Sequence, residues 1–107
     1  MDEKPLMAEL FGESATTRII DFLLEKRPFD TTKEEIIRGT GVSRNTFFRA
    51  WERMEKFGLA KKTRTIGRAT LYVINDSNQV VRKLLELEYS LIENEMGKQG
   101  NRKALRA

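Results

Sequence analysis

Gly41-Val42-Ser43-Arg44-Asn45-Thr46-Phe47-Phe48-Arg49, continued by Ala50-Trp51-Glu52-Arg53-Met54-Glu55-Lys56-Phe57-Gly58, decides how this chain folds. Ser43 is a good N-cap type, because its hydroxyl accepts from an amide two or three residues on. On a helical wheel Phe47, Ala50, Trp51, Met54 and Phe57 gather on one side, the pattern of a helix face that enters a core. Asn45, Arg49, Glu52 and Lys56 gather opposite, with Arg44, Phe48 and Arg53 on the flanks. Gly58 ends the helix as a left-handed cap. Upstream, Thr32-Lys33-Glu34-Glu35 matches a capping box, in which hydroxyl and carboxylate satisfy each other's backbone donors. The helix it opens carries Ile36 and Ile37 and ends near Gly39-Thr40-Gly41. The closely spaced glycines allow a tight corner, plugged by Val42, from which the next helix leaves steeply. The pair reads as a helix-turn-helix.

Downstream, residues 59–66 and 70–74 are β-branched or aromatic enough for two strands. Gly67 supplies the turn between them, Arg68 sits at the tip, and Lys61, Lys62 and Arg64 line the approach. Lysines on an edge strand also discourage unwanted pairing. Four cations, the arginine at the tip among them, exceed that need. Leu71 and Val73 alternate with Tyr72, so one face of the return strand is expected to cover the core. Upstream, Ser14 caps a helix running to about Lys26, with Ile19, Ile20, Leu23 and Leu24 as its core stripe and Pro28 as its stop. Phe29 is placed to pin a very short strand against the hairpin. Leu6, Leu10 and Phe11 suggest a short lead-in held by apolar contacts.

Beyond Asn75-Asp76-Ser77-Asn78, a last helix is expected over 79–96, about 27 Å long. Its apolar residues form two adjacent stripes, Val80/Leu84/Leu87/Leu91 and Val81/Leu85/Ile92/Met96. That is wider than one docking face needs. One stripe is expected on the body and the other against a second copy, with Val80, Leu84, Leu87, Leu91 and Ile92 as the interface. The organisation expected is a lead-in over 1–12, a central domain over 13–76, a pairing helix over 77–97 and a basic, disordered tail over 98–107.

Composition narrows the chemistry. Of 107 residues, 39% are hydrophobic and 34% charged, which suits one folded, well-solvated domain. No apolar run approaches the roughly 20 residues that span a bilayer, and the first residues lack a signal peptide's apolar region, so a cytoplasmic location with no membrane contact is expected. There is no Cys and no His. Disulfides, thiolate or imidazole metal sites and imidazole catalysis are excluded; a carboxylate-only metal site stays open, but no cluster suggests one, and no catalytic residue, metal or cofactor is assigned. Charge is unevenly spread: residues 1–40 hold 6 basic and 9 acidic side chains (net −3), 41–74 hold 8 and 2 (+6), and 75–107 hold 6 and 5 (+1). A basic patch concentrated in the middle third is the footprint of a polyanion-binding surface.

The order of elements resembles the winged helix-turn-helix transcription regulators of archaea and bacteria, in the broad MarR and ArsR group. Leu10-Phe11-Gly12, Gly41-Val42-Ser43-Arg44, Met54-Glu55-Lys56-Phe57-Gly58-Leu59 and Ile66-Gly67-Arg68-Ala69-Thr70-Leu71-Tyr72 carry the likeness, which spans roughly residues 6–95 and looks most like small archaeal members. It implies a mainly α fold with a small β-hairpin, a winged helix-turn-helix with a long C-terminal dimerisation helix. It further implies that the helix from Ser43 enters a major groove of double-stranded DNA and the hairpin tip, Arg68, an adjacent minor groove. On that footing Asn45, Phe48, Arg49 and Glu52 are the expected base readers. Ser43, Arg44, Thr46, Arg53, Lys61, Lys62 and Arg64 are the expected backbone contacts. A homodimer addressing a palindromic site and regulating transcription follows. Two other readings stay open: a less specific DNA-binding protein of plasmid-partition or chromatin type, or a winged helix that docks protein. The metal motifs of ArsR-type sensors are missing, and no residue set specifies a small-molecule effector.

Overall fold

The computed structural model describes residues 6–12 and 14–106, with side chains for residues 9–12 and 14–97. Its elements are α1 (Leu6–Phe11), α2 (Ala15–Lys26), β1 (Thr31–Thr32), α3 (Lys33–Thr40), α4 (Arg44–Lys56), β2 (Ala60–Ile66), β3 (Ala69–Ile74) and α5 (Gln79–Arg106). The helix starts lie where short polar side chains stand in for absent backbone partners. Ser14 Oγ accepts from Thr17 N at 3.1 Å. Thr32 Oγ1 accepts from Glu35 N at 3.1 Å while Glu35 Oε1 accepts from Thr32 N at 3.3 Å, completing the expected capping box. Ser43 Oγ accepts from Thr46 N at 3.3 Å. Of the four candidates ahead of α5, Asn78 is the cap, its Oδ1 accepting from Val80 N and Val81 N. The same amide donates to the carbonyls of Phe57 and Gly58, tying the start of α5 to the end of α4.

α2, α3 and α4 pack around one core that β3 and the first turns of α5 close. Ile19, Leu23 and Leu24 meet Ile36, Phe47, Ala50, Trp51 and Met54, with Val42, Leu59, Ile74 and Val81 completing the cluster. The sheet has the order β1-β3-β2, all antiparallel. The β2–β3 turn is Gly67-Arg68, with φ of +59° at Gly67 and no positive φ at Arg68, the combination that matches strand twist in a two-residue hairpin. The architecture is a winged helix-turn-helix with a long C-terminal helix: the α3–α4 corner is the turn, and β2–β3 is the wing.

Several local expectations are corrected. Phe57 does not join the core; it is 58% exposed, because α4 ends at Lys56 and the chain bends so that Leu59 takes the buried place. The short strand exists but is Thr31–Thr32, and Phe29 is exposed outside it. Leu10 and Phe11 are exposed although α1 touches α2 and α5. On β3, Tyr72 and Ile74 face the core; Leu71 is buried outside the core cluster, and Val73 lines a groove with Lys61 and Arg27. Both faces of that strand are apolar, so alternation could not choose between them. Gly41, with φ of +71°, makes the corner, while Gly39 stays helical and gives the Phe22 ring room that a Cβ would occupy. Finally, the helix expected to stop near Met96 continues as helical backbone to Arg106. Gly97 and Gly100 weaken a helix by about 1 kcal/mol each without breaking it, and no proline follows.

Among the described residues, Asp21 is the one ionisable side chain that is buried. It is 6% exposed on α2, its Oδ2 has no hydrogen-bond partner, and burial, then Glu88 of α5 and Glu25, push its pKa from 3.8 to about 6.

Candidate nucleic-acid interface

α4 is mounted by its buried side. Phe47 and Met54 have no exposed surface, and Trp51 stacks on Phe47 at 5.5 Å between ring centroids. The edge of Trp51 meets Tyr72 of β3 at 5.0 Å, so the helix is keyed to the wing's return strand. Its rotation about its own axis is thereby fixed. The outward face carries Asn45, Arg49, Glu52, Arg53 and Lys56, all exposed, and Arg49, Glu52, Arg53 and Lys56 border an open depression of about 490 Å³. Asn45 and Arg49 lie in the first two turns of the helix. Phe48, a flank residue, is 43% exposed and meets the edge of the buried Phe47 at 5.2 Å.

The expected backbone contacts divide into groups. Ser43 and Thr46 are exposed at the start of α4 but occupied with each other, the Ser43 hydroxyl donating to Thr46 Oγ1 at 2.8 Å. Arg44 forks onto Glu34 of α3, with N···O distances of 2.7 and 2.8 Å, which holds the Glu34 carboxyl below its ordinary pKa. That pair ties together the starts of both helices of the motif. Arg53 is exposed beside Arg49.

On the wing the cations do not share one face. Lys61 pairs opposite Val73 and Lys62 opposite Tyr72, so they project to opposite sides of the sheet. Lys61 joins Arg27, Glu25 and Asp76 around a groove of about 610 Å³ floored by Leu24 and Ile74. Arg64 is exposed yet forks onto Asp30, with Nε···Oδ2 at 2.8 Å and Nη2···Oδ1 at 3.1 Å. Arg68 is exposed at the tip between Gly67 and Ala69, and Ile66 beside it is exposed too. The proposed interface set on α5 is graded: Val80 and Ile92 are exposed, while Leu84, Leu87 and Leu91 are half-buried. Tyr89 and Met96 extend the exposed apolar surface, whereas Val81 is fully buried and Leu85 packs on the core.

Two residues here were missed by sequence reasoning. Lys33, the first residue of α3, holds its ammonium 5.4 to 5.8 Å from the ring centres of Tyr72, Trp51 and Phe48, bracing three aromatics from three positions. Asp30 receives the Arg64 fork. Nothing in the sequence marks either, because their partners are 15 to 39 residues away and meet only once the sheet forms.

Among the described residues no group of three or more His, Cys, Asp or Glu is placed to hold a metal ion, and no helix is long and apolar enough to cross a membrane. No family model and no curated protein matches the chain. Solved structures do. A ZitR mutant from Lactococcus lactis in apo form superposes with a TM-score of 0.58 at 18% identity, over 88% of this chain and 73% of that one. A possible transcriptional regulator from Methanosarcina mazei gives 0.54 at 11% identity, over 91% and 84%. The Streptococcus mutans protein smu.1704 gives 0.53 at 20% identity, over 75% and 82%. At these identities the likeness is one of fold.

Proposed function

We propose that the chain is a homodimeric, sequence-specific regulator of transcription that reads double-stranded DNA, with α4 in the major groove and the wing in the minor groove. The observation that carries this is the exposed face of α4. Asn45, Arg49 and Glu52, types that pair with adenine, guanine and cytosine edges, stand on a helix whose opposite face is fully buried. A side chain on so firmly held a helix reaches a base edge with little left to order. The middle third's net charge of +6 supplies the phosphate-directed attraction. The possible transcriptional regulator from Methanosarcina mazei, similar in fold, supports the same reading.

Dimerisation through α5 is supported by surface that one copy leaves uncovered. Val80, Tyr89, Ile92 and Met96 on α5 and Leu10 and Phe11 on α1 are exposed, and α1 lies against α5. The radius of gyration is 16.0 Å, against about 13 Å for a compact domain of about 100 residues, because the 28-residue α5 extends past the body. Selection of bound sites from random duplex DNA is the test. A palindromic consensus is expected, and recovery of unselective sequence would favour the partition or chromatin type of binder. The half-exposed Phe48 is the one feature favouring a protein-docking surface instead; absence of any DNA binding at low salt would leave that reading standing.

A further inference from the structure

We infer that Asp30 is a positioning residue for the wing: acting on a bulge at Thr63, it turns Arg64 to the outer face of the sheet and holds the wing at one angle. The inference rests on the reading of the hairpin as a DNA-contacting wing.

In a regular strand side chains alternate, so Lys62 and Arg64 would share a face. The pairing reverses this. Lys62 lies opposite Tyr72 and Arg64 opposite Leu71, neighbours on β3, so β2 has taken up one extra residue, Thr63. Paired residues share a face; Lys62 therefore lies on the side of Tyr72, toward the core, and Arg64 on the outer side with Leu71. Asp30 directly precedes Thr31, which pairs with Tyr72, so alternation puts Asp30 on the outer side as well. There the Asp30 carboxylate accepts from Thr63 Oγ1 at 2.6 Å and takes the fork from Arg64. The bulged residue and the residue it redirects are both held by one carboxylate.

The grip crosses the whole sheet, since β1 and β2 flank β3. Its root is firm: Thr31 is fully buried and pairs with β3, while β2 is an edge strand whose residues beyond Ala60 are all exposed. Without Asp30 the outer half of the wing is held to the body by β3 alone. A guanidinium has five N–H donors, and Asp30 engages two of its nitrogens, so Arg64 still has donors to offer a phosphate in a fixed direction. The bonds from Arg64 and Thr63 also hold the Asp30 carboxyl at a pKa of about 2, which keeps the brace charged throughout the neutral range.

The test exploits a conflict of sign. Asp30→Ala raises the net charge from +4 to +5, and charge alone then favours tighter binding to every duplex. Positioning demands the opposite on the selected site: affinity about tenfold weaker, the size of one charge-assisted hydrogen bond, with binding to a scrambled duplex equal or tighter. Fluorescence anisotropy with the full chain and both duplexes reads the ratio. Arg64→Lys, which keeps the charge and loses the fork, should reproduce the loss, and Thr63→Val should show a smaller loss of the same kind. Unchanged or improved affinity for the selected site in Asp30→Ala and Arg64→Lys overturns the inference. If Asp30→Ala does not give a wild-type circular dichroism spectrum, Thr63→Val and Arg64→Lys decide alone. Arg68→Ala distinguishes the two levels. Should it weaken binding while Asp30→Ala does not, only the positioning role falls; should none of these variants alter binding, the wing reading falls and takes Asp30's role with it.

Discussion

Replacing Asp21 with Asn should stabilise the protein above pH 6 and do little at pH 4. Asp21 is buried on α2 with an unpartnered Oδ2, facing the charges of Glu88 and Glu25. Arg27 pairs with that same Glu88 at 3.8 Å and donates to the Leu24 carbonyl. Burial, reinforced by those carboxylates, raises the Asp21 pKa from 3.8 to about 6. The folded state therefore holds a proton that the unfolded chain releases near pH 4, so this group's contribution to stability falls as pH rises from about 4 to about 6 and is flat beyond. The full difference corresponds to about 3 kcal/mol, and partial access of water to the α2–α5 seam reduces it to roughly 1–2 kcal/mol. Asn has nearly the same shape, never ionises and can donate where the carboxylate repels. At pH 7.5 the variant should gain roughly 1–2 kcal/mol, a rise of about 4–12 °C in Tm for a domain near 100 residues. Thermal unfolding followed by circular dichroism between pH 4 and 8 measures this, with protein concentration fixed because dimerisation would shift Tm. A stability difference between variant and wild type that stays constant across that range refutes the reasoning.

Arg49→Ala should weaken binding to the selected site by roughly 1–3 kcal/mol and relax preference at one position, a guanine in the simplest case; equal loss on a scrambled duplex would remove Arg49 from the readers. Arg68→Ala should instead weaken binding evenly across sequences, with an effect that grows on narrow A-tract minor grooves, as a panel of duplexes of varied groove width would report. Leu87→Glu with Leu91→Glu should yield a folded monomer that binds DNA far more weakly, and ultracentrifugation of the wild type finding a monomer at micromolar concentration would refute dimerisation through α5. If about four cations per protomer meet phosphate, about eight per dimer, log affinity should fall against log salt with a slope near −7, whereas a slope shallower than about −2 would make the basic cluster incidental.

Local chemistry determined the helices. Ser14, Thr32 with Glu35, and Ser43 each satisfy amides within three residues, so the starts of α2, α3 and α4 follow from sequence neighbours alone. The 3.6-residue spacing of Phe47, Ala50, Trp51 and Met54 likewise determined which side of α4 is buried and hence which side faces out. The hairpin turn at Gly67 was legible for the same reason, because a left-handed φ narrows the choice of residue. Tertiary structure decided what depends on distant partners. Tyr72 rather than Leu71 faces the core because β3 must meet Trp51, and the strand's two apolar faces left its own sequence silent. Phe57 is exposed because the chain leaves α4 one residue early for Gly58, a choice shared with Asn78 twenty residues on. The Asp30–Arg64 fork joins residues 34 apart, and only the bulge at Thr63 puts them on one face. Sequence spacing dictates contacts that lie within a helical turn; a contact that needs a third strand to bring its partners together is written only in the fold.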